Sequence, residues 1–145
     1  MTATVTGGTS PWGAVYDSSK NEVFVSNWGS NTVSVISDSN NAVTATVPVE
    51  KNPWGLAYDP AKGEIFVANS GGNTVSVISD SSYTVVATVT VGANPTSLAY
   101  DSGTGQVFCS NVGDNSVSVI SDTDNTVVAT IQVGNYTAGL TYDQG

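Results

Sequence analysis

The chain repeats itself every 42 residues without an insertion. The pair Tyr-Asp recurs as Tyr16-Asp17, Tyr58-Asp59, Tyr100-Asp101 and Tyr142-Asp143. Val23-Phe24-Val25-Ser26-Asn27 returns as Ile65-Phe66-Val67-Ala68-Asn69 and as Val107-Phe108-Cys109-Ser110-Asn111. Val-Ser-Val-Ile-Ser-Asp occupies 33–38, 75–80 and 117–122, and Ala-Thr-Val/Ile begins at Ala3, Ala45, Ala87 and Ala129. A period of this length means that one supersecondary unit is stacked several times, each copy burying the apolar face of its neighbour.

Each period holds four strand-like runs, a (13–17), b (23–27), c (32–37) and d (43–49) in the first copy, separated by turn residues. Val, Thr, Ser, Asn and Gly dominate, the vocabulary of pleated strands and tight turns, and no segment shows a helical period. Asp opens each a–b connection, and the glycine of each b–c connection is expected to supply a backbone angle closed to β-branched residues. Asp38, Asp80 and Asp122 are expected to close strand c by accepting backbone hydrogen bonds. Small residues in run a, such as Gly55 and Ala57, fit a place where sheets crowd together.

Four strands per repeat of this length is the blade of a β-propeller. The strings Ile65-Phe66-Val67-Ala68-Asn69, Asn73-Thr74-Val75-Ser76-Val77-Ile78-Ser79-Asp80 and Ala87-Thr88-Val89-Thr90-Val91-Gly92 closely resemble the YVTN-family propeller repeat. That family is best known from archaeal and bacterial surface-layer proteins. The resemblance implies an all-β propeller, an extracellular or cell-surface setting, and an interaction role more often than catalysis. Three four-strand units also fit a β-trefoil, which closes with three, so the trefoil is the competing fold.

Read this way the chain is one repeat domain over 1–145: a partial blade giving strand d (1–8), blades at 9–50, 51–92 and 93–134, and a partial blade giving strand a (135–145). About three and a half blades leave two open ends, since propellers use four to eight. A homo-oligomer, in the simplest case a dimer, would close the ring. Its joint would pair the N-terminal d run with the C-terminal a run of another copy, through Ala3, Val5, Leu140 and Tyr142. The other reading is a purely structural repeat fragment that assembles into a closed propeller.

A formal net charge of −9, with three Lys, no Arg and no His, argues against nucleic acid as a partner. No apolar run is long enough to span a membrane, and the N-terminus lacks the pattern of a signal peptide. Ten of the acids, from Asp17 and Glu22 to Asp143, gather at the end bearing the a–b and c–d loops, with Lys20 and Lys62. The opposite end carries Trp12 and Trp54 at equivalent d–a positions, Trp28 in a b–c loop, and Tyr136 near the corresponding place in the last repeat. Aromatic rings among Asn and Gly offer flat apolar surfaces for a peptide or sugar, so these four are the candidate ligand-binding residues.

No catalytic, metal or cofactor residue is assigned. Without His there is no Ser-His-Asp triad and no imidazole metal site. Acids and serines follow the repeat instead of marking one pocket, which makes a metal-dependent, lactonase-like hydrolase the least favoured reading. The single Cys109 replaces Val at an inward strand position and reads as a buried inert thiol. Asn135-Tyr136-Thr137 matches a glycosylation acceptor.

Overall fold

The computed structural model describes residues 4–143. Twelve strands form three separate four-stranded antiparallel sheets. Blade 1 is β1 (Pro11–Asp17), β2 (Glu22–Asn27), β3 (Thr32–Ser37) and β4 (Ala42–Pro48); blade 2 is β5 (Pro53–Asp59), β6 (Glu64–Asn69), β7 (Thr74–Ser79) and β8 (Thr84–Thr90). Blade 3 is β9 (Pro95–Asp101), β10 (Gln106–Asn111), β11 (Ser116–Ser121) and β12 (Thr126–Gln132). Each sheet is a simple meander, and the three fan out around their first strands, β1, β5 and β9, which run side by side. This is propeller architecture, left open at both ends. Separate sheets rule out the closed barrel of a trefoil. No helix among the described residues is long and apolar enough to cross a membrane.

The turns explain how so regular a chain folds. The b–c turns place Asn31, Asn73 and Asn115 in the left-handed region, not the glycines expected there. Asn tolerates that region because its short side chain bonds locally. Gly29 and Gly113 are small for another reason: a Cβ on Gly29 would lie 3.1 Å from Ser10 Oγ, and one on Gly113 would lie 2.9 Å from Ala93 Cβ. Among the described residues, positive φ falls to glycine only in the a–b turns, at Gly63 and Gly105. Every outer strand carries one extra residue opposite its partner, at Thr44, Val86 and Val128. Such a bulge increases local twist.

Two apolar seams hold the blades together. Phe24, Val33, Val35 and Val47 of blade 1 meet Ile65, Val67 and Ile78 of blade 2. Phe66, Val75, Val77 and Val89 of blade 2 meet Leu98, Val107, Cys109 and Ile120 of blade 3 in the same register. On the axial side the inner strands touch backbone to backbone. A Cβ on Gly13 would come within 2.5 Å of the Trp54 carbonyl oxygen, and one on Gly55 would run into the Thr96 carbonyl oxygen.

Polar pairs repeat along the acidic end of each seam. Lys20 reaches Asp80 at 3.5 Å, and Lys62 reaches Asp122 at 3.3 Å. Each ammonium also donates to the carbonyl oxygen of the same aspartate. Asp80 and Asp122 therefore join blades, where the sequence suggested local backbone bonds. Asp38 accepts from the Tyr16 hydroxyl of its own blade, as Asp122 does from Tyr100. Tyr83, although bulky, holds φ 53°. Its hydroxyl donates to the Glu22 carboxylate at 3.0 Å and its ring lies 5.6 Å beneath the Lys20 ammonium, contacts that offset the strain.

Asp17, Asp59 and Asp101 open the a–b turns as expected: Asp17 accepts from the Ser19 amide at 2.8 Å, Asp59 from Ala61 and Asp101 from Gly103. Burial alone would raise the Asp17 carboxyl, but hydrogen bonds from the Ser19 and Tyr58 side chains and from the Ser19 and Lys20 amides hold it below the ordinary range. Glu64 goes the other way, raised chiefly by burial. The signs differ accordingly. The lowered Asp17 contributes stability that is complete above the unfolded carboxylate value, about pH 4, and is lost as pH falls through its lower folded value. Protonating Glu64 favours the folded state as pH falls from neutrality. Thermal melts across pH are thus expected to hold or rise slightly from pH 7 toward about pH 5, then fall below about pH 4. Asp17→Asn, which keeps an acceptor but no titrating carboxyl, should flatten part of that acid fall.

Candidate functional site

Trp12 and Trp54 are the second residues of β1 and β5, so the close approach of the inner strands brings their rings together at one end of the axis. The ring centroids stand 4.4 Å apart with planes tilted by 58°. Ser26 fixes this spacing: its hydroxyl accepts from the Gly13 amide at 2.9 Å and donates to the Trp54 carbonyl oxygen at 2.5 Å. The repeat replaces Ser26 by Ala68 in blade 2, so the hydroxyl link from one blade to the next joins blades 1 and 2 and not blades 2 and 3.

Trp28 joins from the β2–β3 turn. Its amide donates to the Ser10 carbonyl oxygen and its own carbonyl accepts from the Asn52 side chain at 3.2 Å. The three indoles and Ser10 line a cleft of about 260 Å³. Its walls are almost wholly apolar, with the Ser10 hydroxyl as the one side-chain hydrogen-bonding group outside the indoles. Trp12 is 61% exposed and Trp28 40%, too much open aromatic surface for core residues. The cleft ends at blade 3, where Thr96 takes the Trp position and turns inward, buried, with its hydroxyl 3.3 Å from Ser110 Oγ.

Three of the four aromatics singled out in the sequence therefore meet. Tyr136 does not. It occupies the left-handed position held by Ser10, Asn52 and Asn94, stands 83% exposed, and borders a more polar cleft with Asn94, Asn115 and Asn135. The residues singled out for a joint lie at opposite ends of the fan. Val5 lies over the outer side of blade 1 beside Val25 and Ile36, in the place Val47 takes on blade 2. Leu140 and Tyr142 lie against β9 and Phe108, with the Leu140 amide donating to Ser97 Oγ at 3.1 Å. Neither segment forms a strand, and Ala3 lies outside the described residues.

Sequence reasoning missed a second concavity. Tyr16, Tyr58 and Tyr100 on the three inner strands, and Tyr142 on the terminal segment beside β9, line with Leu56, Leu98 and Leu140 a trough of about 480 Å³ along the axis. Its signal was present in the Tyr-Asp pairs, but the reading spent them on turns. Each tyrosine from Tyr58 onward faces the turn aspartate of the preceding blade, Tyr58 toward Asp17, Tyr100 toward Asp59 and Tyr142 toward Asp101, while the Tyr58 hydroxyl donates to Ser19 Oγ and that of Tyr100 to Asp122. Tyr100 is pushed well above the ordinary phenol range by burial first and by the Asp59 and Asp122 carboxylates next, so it stays a neutral donor. Among the described residues no three His, Cys, Asp or Glu side chains converge tightly enough to hold an ion. Cys109 is fully buried, and burial pushes its thiol up to about 12. It is inert, as its position in the repeat implied.

A family profile described as the NHL repeat matches residues 51–78, the part of blade 2 from just before β5 to within β7. No curated protein matches the chain. Among solved structures, hydrazine synthase of Kuenenia stuttgartiensis superposes with a TM-score of 0.84 at 21% identity, over 93% of this chain and 39% of that one. AztD of Citrobacter koseri, in its apo form and in a second structure, superposes with a TM-score of 0.74 at 10% and 9% identity, over 88% of this chain and 36% of those. The chain thus spans less than two fifths of the length of each of these structures. At such identities the likeness is one of fold. Together with three stacked four-stranded blades, it makes this chain a β-propeller repeat protein.

Proposed function

We propose that the chain is a non-catalytic recognition module that takes an aromatic or apolar side chain of a partner protein into the Trp12–Trp28–Trp54 cleft. The convergence of three indoles from two blades on one open cleft carries this reading. Clustered aromatic residues in a concave patch supply most of the energy of protein recognition. A sugar is the weaker candidate, because it asks for several directed hydrogen bonds and the side chains lining this cleft offer one hydroxyl besides the indoles. The acids support the non-catalytic part: Asp17, Asp59 and Asp101 are spent on turns and Asp80 and Asp122 on ion pairs. The YVTN resemblance favours a cell-surface or extracellular setting, and Asn135-Tyr136-Thr137 lies at an exposed loop there.

The test is a random peptide library and a glycan array, each probed with the native chain and with the double variant Trp12→Ala, Trp54→Ala. Native chain should enrich peptides carrying Trp, Tyr or Phe, and the double variant should bind them about thirtyfold more weakly, the effect of losing an anchor worth about 2 kcal/mol. Glycan hits that depend on the two tryptophans, without peptide enrichment, would replace a protein ligand by a sugar. Binding that is indifferent to both substitutions would end the proposal.

A further inference from the structure

Each internal seam joins the trailing face of one blade to the leading face of the next, and the fan leaves one face of each kind without a blade against it, covered only in part by a terminal segment. On the leading side of blade 1, Val23, Val25 and Ile36 are half-buried, whereas Ile65, Val67 and Ile78 at the same positions of blade 2 are fully buried. On the trailing side of blade 3, Ile131 is 46% exposed, whereas its counterparts Val47 and Val89 are 1% and 6% exposed. Phe108 is likewise half-buried where Phe24 and Phe66 are fully buried.

We propose that a second copy of this chain docks head-to-tail on these faces, the leading face of its blade 1 seating on the trailing face of blade 3. The occupant is argued from the seams themselves, which already join these two faces twice within one chain. The apolar positions carry over, and the polar ones in part. Where Lys62 meets Asp122, the new seam sets uncharged Thr104, whose hydroxyl donates to Asp101 within the chain, against Asp38. Where Glu22 meets Tyr83, it sets the Gln106 amide against the Asn41 amide, a pair that can donate and accept in both directions. Where Tyr58 meets Asp17, it sets Tyr16 against Asp101. Asp38 and Asp101 then flank the Tyr16 hydroxyl, as Asp122 and Asp59 flank that of Tyr100. The terminal segments hold these seats in the single chain: Val5 lies where the neighbour's Ile131 would go, and Tyr142 faces Asp101 where the neighbour's Tyr16 would. Docking releases both. Two copies supply six full blades, within the range of closed propellers.

The contact is heterologous, which gives it a signature that a face-to-face dimer lacks. Light scattering on a sizing column should show the 145-residue chain as an assembly of two, with Ile131→Asp and Ile36→Asp each monomeric and folded by circular dichroism. Mixing the two variants should restore a dimer, because one keeps an intact leading face and the other an intact trailing face. Should Ile36→Asp fail to fold, Val23→Asp places the same charge on the same face. A monomeric native chain, a dimer indifferent to either substitution, or a mixture that stays monomeric would each overturn the proposal. None of these readings involves the tryptophan cleft, so the two proposals fail separately.

Discussion

Replacing Gly55 by alanine is expected to destabilise the fold by about 1–3 kcal/mol, while the same change at Gly139 should cost no more than about 0.5 kcal/mol. The two glycines occupy equivalent places in the repeat, Gly55 within β5 and Gly139 in a terminal segment that forms no strand. At Gly55 a new Cβ would meet the Thr96 carbonyl oxygen and lie 3.2 Å from Ser97 Cα; at Gly139 it would meet nothing within 4 Å. Two effects compete. Alanine restricts the unfolded chain, worth about 0.4–1 kcal/mol in favour of folding. The clash opposes it, and it prevails because the obstructing atoms belong to the backbone of the next inner strand, which cannot turn aside as a side chain would. Urea melts of both variants against the native chain check this. Equal midpoints for the two would show that the inner strands are not in the close contact described.

Phe66→Ala should cost about 3–5 kcal/mol, and Phe108→Ala about 1–2 kcal/mol. Phe66 is fully buried where blades 2 and 3 meet, so truncation leaves a cavity walled by two sheets that cannot both collapse into it. Phe108 has the same neighbours within its own blade, but its outward side is covered only by the segment bearing Leu140 and Tyr142. Equal losses at the two positions would mean that this segment covers Phe108 as fully as a blade does. The comparison is read from denaturant midpoints at unchanged slope.

The fold was legible because the repeat states it three times. Strand boundaries, the meander and the inward turn of Phe24 and Phe66 all follow from period and alternation. The seams were less legible. Lys20 to Asp80 and Lys62 to Asp122 are separated by more than one repeat, and only the curvature of the fan decides that such residues meet. The same limit applies to the site. Trp12 and Trp54 could be matched from their shared repeat position, but their convergence with Trp28 depends on the Ser26 tie and the backbone contact at Gly13. Tyr136 was misjudged as a member of that group because it precedes the Trp register by two residues, which moves it from a strand to a left-handed turn.

Cys109 gives the molecule an internal clock. Its sulfur lies at zero exposure where blades 2 and 3 meet, and with its thiol held near 12 it is a poor nucleophile while the sheets stay together. A thiol reagent in mild buffer can therefore modify it only in moments when those two sheets part. With reagent in excess and reclosing fast, the labelling rate counts the fraction of time spent open. One atom, at one position that the other repeats fill with Val25 and Val67, converts an otherwise silent breathing motion between neighbouring blades into a chemical yield that a mass spectrometer can read.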